Sequence, residues 1–369
     1  MGQLISGPVT LKDTKCCQNG RFSVAASSMQ GWRVRMEDSF TCFLNLPDDP
    51  SAAYFAIFDG HGGTSVPEYA ALHLHTAITS LPEYAKGNVE KALRLGFLSL
   101  DSEMRTRFSH QHTMSSTKAD HHPGLSLRDI RGSVSSGNAS ATVGGTINCN
   151  RSSTLSSSIG DVGGSTCIVL LVRDGHIYCA NCGDSRAVIS SLGVAEAFST
   201  DHKPSLPRER SRILAAGGWI SGGNRVNGNL ALSRALGDFT FKRNPQLSPV
   251  DQIISPEPEV TCRDTRPEED EFIVMGCDGI WDVLTDQEVV SFVRSRLAAG
   301  SPPDSVCEEL MMHCLAPTCH ANGLGCDNMT VLLICLLNGS SYAEFRQRCL
   351  RPCPAGVAAD ILGPRMPSR

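Results

Sequence analysis

Five separated stretches of this 369-residue chain end an apolar run, or open a Gly-rich turn, on an acidic residue. They are Met36-Glu37-Asp38, Phe58-Asp59-Gly60-His61-Gly62-Gly63, Leu236-Gly237-Asp238, Cys277-Asp278-Gly279-Ile280-Trp281-Asp282 and Cys326-Asp327-Asn328. A carboxylate carried to the end of a buried strand must meet water or find a partner, because an unpaired charge in apolar surroundings is costly. A divalent cation is the usual partner when several carboxylates arrive together. Brought together by the fold, these strand ends and turns would make an oxygen-only metal site.

The length allows one large domain or two small ones, and either can bury a full core. A formal net charge of −5 gives no basic excess, so nucleic acid is not expected as a partner. Sixteen cysteines would suit a disulfide framework, but the first fifteen residues contain no apolar signal-peptide core. The thiols are therefore expected to stay reduced and serve as small core residues. Cys179 and Cys182 form a CxxC, yet 178–182 reads as a strand, where positions three apart face opposite sides, so zinc is not expected. No apolar run reaches the roughly 18 residues needed to span a membrane.

The chain opens Met1-Gly2-Gln3-Leu4-Ile5-Ser6, which fits the signal for N-myristoylation of Gly2; the plainer alternative is an unmodified flexible tail. One myristoyl chain binds membranes only marginally, so association through it would be reversible, and palmitoylation of Cys16 or Cys17 would be a second anchor. A cytoplasmic monomer, with membrane association through its N-terminus, is the expectation.

Residues 1–21 read as a tail. Short strands are expected over 23–28 and 39–44, and a fully apolar one over 54–58 that stops at Asp59-Gly60. Helical spacing follows over 66–81 and 89–108, the second with Val89, Leu93, Phe97, Leu100 and Met104 on one stripe. From 109 to 163 Ser, Thr, Gly and Asn dominate and periodicity is lost, the mark of a disordered insertion. Order resumes with strands over 166–172 and 177–182 around an Asp174-Gly175 hairpin turn. Helices are expected over 207–216, from a Thr285/Glu288 capping box to 298, and from Ser301-Pro302 to about 315. A last apolar strand covers 329–337, and the remainder, 341–369, reads as a loose tail. Strands joined by hairpins, with helices in tandem and no βαβ alternation, predict an α+β fold with helices outside antiparallel sheets. The whole is one catalytic domain, 22–340, interrupted by the insertion.

Carboxylates without a His or Cys ligand pattern suit hard ions such as Mg²⁺ or Mn²⁺. Acids from several segments suggest two ions sharing a water of lowered pKa. Gly60, Gly62 and Gly63 allow close backbone approach. Arg33 offers a planar fork to a phosphate, and His61, with an unperturbed pKa near neutral, can protonate a leaving alkoxide. Metal, phosphate and water together describe a phosphomonoester hydrolase. Singly, each residue has a duller reading: Asp278-Gly279 as a turn, Asp184 as a turn acid paired with Arg186, Asp238 and Asp282 as loop acids, His61 as a structural histidine.

The joint order of these segments resembles that of the metal-dependent Ser/Thr protein phosphatases (PPM, type 2C). Ser28-Met29-Gln30-Gly31-Trp32-Arg33-Val34-Arg35-Met36-Glu37-Asp38 is similar to the first family motif and Phe58-Asp59-Gly60-His61-Gly62-Gly63 to the second. Gly164-Ser165-Thr166, Asn181-Cys182-Gly183-Asp184-Ser185-Arg186, Asp201-His202-Lys203-Pro204, Leu232-Ser233-Arg234-Ala235-Leu236-Gly237-Asp238, Cys277-Asp278-Gly279-Ile280-Trp281-Asp282 and Asp327-Asn328-Met329-Thr330 follow in the family's order. The resemblance covers about 22–337 apart from the insertion.

That resemblance implies a central β-sandwich of two antiparallel sheets flanked by pairs of antiparallel helices, an αββα four-layer arrangement, with a dinuclear Mg²⁺/Mn²⁺ site at one end. It implies that Asp59 bridges both ions, that the Gly60 carbonyl holds the first, and that Asp278 and Asp327 bind the second, with Glu37 and Asp38 close by. A third, weaker ion is implied at Asp184, Asp278 and Asp282. Arg33 would bind the substrate phosphate and His61 would be the general acid, with Asp238 supporting the site. A metal-bridging hydroxide would then attack phosphoserine or phosphothreonine in a protein substrate directly, with no phosphoenzyme. The segment 219–229, near the family's substrate-shaping flap, is short and Gly-rich, so substrate choice stays open. The rival reading is a catalytically silent relative that binds phosphoproteins or partners through its insertion; loss of Asp59, Asp278 or Asp327 would favour it, and none is lost. A metal-dependent phosphatase of small molecules would share the same site.

Overall fold

The computed structural model describes residues 4–116, 146–148, 163–319 and 323–353. In chain order its strands are β1 (Leu4–Gln18), β2 (Phe22–Arg33), β3 (Ser39–Phe43), β4 (Ala53–Phe58), β5 (Gly60–His61), β6 (Thr146–Asn148), β7 (Gly164–Ser165) and β8 (Cys167–Arg173). There follow β9 (His176–Cys182), β10 (Arg186–Ser191), β11 (Val194–Ala197), β12 (Leu236–Gly237), β13 (Glu259–Asp264), β14 (Asp270–Gly276) and β15 (Met329–Leu336). The helices are α1 (Ser65–Thr79), α2 (Pro82–Ala85), α3 (Val89–Ser116), α4 (Pro207–Ala215), α5 (Asp278–Trp281), α6 (Asp286–Ala299), α7 (Pro303–Cys314) and α8 (Tyr342–Cys349).

Two six-stranded antiparallel sheets form the centre, in the orders β1-β2-β15-β14-β10-β11 and β13-β9-β8-β4-β3-β6. The period-2 alternation of side chains decides the layering. On β15, Leu332 and Ile334 face the other sheet, while Val331, Leu333 and Cys335 face outward to Val289, Val293, Leu297 and Leu310 of α6 and α7. On β4, Phe55 and Ile57 face inward, while Tyr54, Ala56 and Phe58 pack under Leu74 of α1 and Phe97 and Leu100 of α3. Burial on both faces is why β4 and β15 read as unbroken apolar runs rather than as alternating ones. The result is the expected helix–sheet–sheet–helix α+β architecture. The Asp174-Gly175 hairpin is present as read, both residues at positive φ (51° and 79°), with Arg173 opposite His176.

Three tail-like spans are more ordered than the sequence suggests. Residues 4–18 form β1, which pairs with β2 from Leu4↔Arg33 to Gln18↔Ser23. Register shifts between Leu4 and Val9 and between Val9 and Lys12, together with an outer edge open to solvent, erase the alternation that would have marked a strand. After Ser340, α8 forms on a capping box in which the Ser341 side chain accepts from the Glu344 amide and Glu344 returns to the Ser341 amide. It buries Phe345 and Cys349 against the α6–α7 layer. Within 109–163, α3 continues to Ser116 and β6 pairs with β3. The rest of that insertion, and Gly2, lie outside the described residues.

One thiol expectation also fails. Cys319 and Cys326 are joined in a disulfide just before Asp327, the turn having brought their Cα atoms to 6.0 Å, inside bridging range. The CxxC pair is as read: Cys179 and Cys182 are both buried in β9, one in the inter-sheet core and the other beneath the helices. No helix among the described residues is long and apolar enough to cross a membrane.

Candidate active site

The register places the acidic segments at one end of the sandwich. Met329 at the start of β15 lies opposite Met29 near the end of β2, Gly276 at the end of β14 lies opposite Arg186 at the start of β10, and Phe58 at the end of β4 lies opposite Ser39 at the start of β3. Asp327, Arg33, Asp278, Asp184, Asp59, Glu37 and Asp38 therefore all emerge from the same rim. Backbone proximity there is tight. A Cβ on Gly60 would sit 2.4 Å from the Glu37 carbonyl, and one on Gly31 would sit 2.4 Å from the Asp327 carbonyl at a φ of +64°. Only glycine fits either position.

Asn328 ties the segments together and received no role from the sequence. Its Oδ1 accepts the Glu37 amide at 3.0 Å, and its Nδ2 donates to the carbonyls of Gln30 at 2.7 Å and Arg35 at 2.9 Å. One buried side chain thus fixes the 30–37 segment against the loop carrying Asp327. The neighbouring Asp327 accepts from Arg33 Nη2 at 2.5 Å, so the guanidinium is aimed by a carboxylate of the same rim.

Packing so many carboxylates together strains their charge. Burial, then the charges of Asp278, Asp38, Asp327 and Asp184, hold Asp59 well above the usual carboxylate range. Burial, then Asp327, Asp184 and Asp282, do the same to Asp278. Asp38 is pushed up to about 7, chiefly by burial, although its Oδ2 accepts from Thr330 at 2.7 Å. The other oxygen of Asp38 and one oxygen of Asp184 are buried with no hydrogen-bond partner. Orphaned carboxylate oxygens beside mutually repelling acids are what a hard divalent cation would satisfy. Oxygen atoms of Asp59 and Asp278 come within 4.8 Å of one another and of the Cys277 sulfur. The Cys277 thiol is held well above its ordinary value by burial, donates to the Asn328 carbonyl and accepts from the Thr330 amide, so it acts as a scaffold. The donor set is oxygen and suits Mg²⁺ or Mn²⁺ rather than zinc.

Asp184 does not pair with Arg186. Its Oδ2 accepts from Lys203 Nζ at 2.6 Å, while Arg186 is clamped by Asp201 and Asp286 and lies over Trp281. The Lys203 ammonium faces Asp184, Asp282 and Asp278, the three acids of the weaker site implied by the resemblance; burial works against its charge, and those acids raise its pKa. Asp282 itself is the exposed residue that caps the C-terminus of α5, within the field of Lys203 and Asp184. The motif Asp201-His202-Lys203-Pro204 contained Lys203, but nothing in the spacing says which carboxylate a lysine on a loop will reach.

His61 is brought to Asp238 by a small second ladder, β12-β7-β5, in which Ser165 lies opposite both Leu236 and Gly60. His61 Nε2 stands 2.7 Å from Asp238 Oδ2. Burial pulls the imidazole pKa down, but the charge and hydrogen bond of Asp238 outweigh it and leave the value raised. With Nε2–H donated to that carboxylate, Nδ1 is the nitrogen left to carry a mobile proton. Asp238 is thereby a positioning residue for His61.

A family model described as protein phosphatase 2C matches residues 22–125 and 135–323. A Caenorhabditis elegans protein described as a probable protein phosphatase 2C is 45% identical over 352 residues, covering 95% of this chain and 85% of the relative. A Schizosaccharomyces pombe protein phosphatase 2C homolog is 36% identical, covering 99% and 88%. Among solved structures, a serine-threonine phosphatase 2C from Toxoplasma gondii superposes with a TM-score of 0.65 at 17% identity, covering 88% of this chain and all of that one, which shows the shared fold. The chain belongs to the protein phosphatase 2C family and is a serine/threonine protein phosphatase, a hydrolase of a metal-dependent family.

Proposed function

We propose that the acidic rim holds two divalent cations, Mg²⁺ or Mn²⁺, and hydrolyses phosphoserine and phosphothreonine in protein substrates in a single displacement by water. Asp59, Asp278 and Asp327, with the Gly60 carbonyl and with Glu37 and Asp38 nearby, would hold the pair; Asp184 and Asp282 would flank a weaker third site. Such ions, when bound, supply Lewis-acid charge and lower the pKa of water. The orphaned buried oxygens of Asp38 and Asp184, among carboxylates that raise one another's pKa, carry this reading.

The chain's own groups do the rest. Arg33, aimed by Asp327, orients the phosphate and takes up negative charge on its oxygens as it builds. His61, kept protonated by Asp238, gives its Nδ1 proton to the departing Ser or Thr oxygen. Water is the nucleophile, so no side chain need be phosphorylated. Membrane association through an acylated Gly2 is proposed as reversible, and a monomeric state is proposed with it.

Phosphate release from a phosphothreonine peptide, measured with Mn²⁺, with Mg²⁺ and with EDTA, tests the reading. Turnover that requires the metal and is lost in EDTA is expected. A folded chain inert under every metal would replace the enzyme with a silent phosphoprotein-binding relative.

A further inference from the structure

Away from Arg33, at the other end of β1, two thiols meet across the sandwich. Cys17 on β1 belongs to the first sheet and Cys42 on β3 to the second, and their sulfurs lie 3.6 Å apart. Neighbouring strand residues face opposite sides, so Cys17 packs against the inter-sheet core beside Cys42 while Cys16 turns out to solvent. Cys42 is fully buried, whereas Cys17 is half-buried on an edge strand. The pair thus has one sulfur within reach of solvent oxidants and a second directly behind it. Neither belongs to the acidic rim or to the Cys319–Cys326 bridge.

We propose that Cys17 and Cys42 are an oxidation site, converted by a peroxide into an intramolecular disulfide that staples the N-terminal strand to the second sheet. The Cys17 thiolate attacks the peroxide O–O bond, forming a sulfenic acid and releasing the other oxygen as water or alcohol once protonated. The Cys42 sulfur then attacks that sulfur, and its proton leaves with the displaced hydroxide as water. Two thiols lose two electrons and the peroxide gains them. The sulfurs must close by about 1.5 Å to reach bonding distance, a small rotation for a side chain on a sheet edge. The bridge closes a loop across a separation of 25 residues and adds a covalent tie to an edge strand whose ladder with β2 is irregular before Lys12.

The full chain, purified in reductant and then freed of it, is treated with a few equivalents of hydrogen peroxide in the presence of a chelator. A digest mapped without reduction is expected to contain the Cys17 and Cys42 peptides joined. The thermal midpoint should rise by about 5–10 °C, and dithiothreitol should reverse the rise. Amide exchange in β1 should slow in the oxidised chain. Cys17→Ser, a change at a half-buried site, should fold normally and show none of these effects. Cys17 found as sulfinic or sulfonic acid with Cys42 still a thiol would overturn the proposal. So would a Cys17 bridge to another chain, or no modification under peroxide that oxidises the exposed Cys262.

Discussion

At the scale of single residues, the active rim is held in tension by its own charges, and that tension predicts opposite effects on activity and stability. Asp278→Asn should abolish turnover, a loss of at least about 10³-fold, because the residue would hold a metal that supplies the reaction's charge. The metal-free variant should nevertheless be more stable than the metal-free wild type at pH 7.5. A carboxylate whose folded pKa lies above its unfolded value destabilises the fold once pH passes the unfolded value, and the penalty grows until the folded pKa is reached. The difference should shrink as pH falls from 7.5 to 5, read from thermal or urea midpoints. A variant less stable than wild type at pH 7.5 without metal would refute the electrostatic account. Asp238→Asn should lower the imidazole pKa of His61, moving the alkaline limb of kcat to lower pH, because the proton donor is lost as pH rises through that pKa. An unmoved limb would remove Asp238 from proton control. The sequence showed most of these acids because motif order named them. It did not show Lys203 on Asp184 or Asn328 as the clamp, since both contacts join segments far apart in the chain and depend on side-chain reach.

At the scale of elements, legibility followed how each piece is buried. The helices over 89–108 and 285–298 carry an apolar stripe or a capping box, and both formed as read, the first continuing beyond its stripe. The α8 capping box, Ser341 to Glu344, carried the same signal as Thr285 to Glu288 but stood in a Pro-containing tail, where composition masked it. β1 had little readable signal because its register shifts before Lys12 and its place at the sheet edge break up the alternation and leave no residue fully buried. A different device holds α4. Glu209, buried on that helix, receives Arg234 and Arg212 and the Ser233 hydroxyl, joining α4 to the segment that leads to Asp238. Burial works against its charge, but the two guanidinium groups hold its pKa down at about 2. Glu209→Gln should cost about 3–5 kcal/mol, because it leaves the buried Arg234 and the partly buried Arg212 short of a charged partner. With a depressed folded pKa, the wild-type advantage is complete above the unfolded value near 4.5 and is lost as pH falls toward 2. A urea midpoint within experimental error of wild type at neutral pH would show the network to be dispensable.

At the scale of the whole molecule, two doubly covered sheets place every functional loop at one rim, so the site is a property of the sandwich rather than of any one segment. The four-layer arrangement and the converging acids were legible; the extent of the sandwich was not, because its N-terminal edge lay in residues that resemble a tail. Removing residues 1–18 should therefore expose the edge of β2, lowering the thermal midpoint by several degrees and promoting association in light scattering. Unchanged stability would return β1 to the status of a tail. If the rim binds divalent cations through its converging carboxylates, calorimetric titration of the metal-free chain with Mn²⁺ will show it. Saturable binding of at least two ions, with the tight phase absent in Asp59→Asn at unchanged circular dichroism, is the predicted result. Equal binding by wild type and Asp59→Asn, or none by a folded wild-type chain, would contradict it.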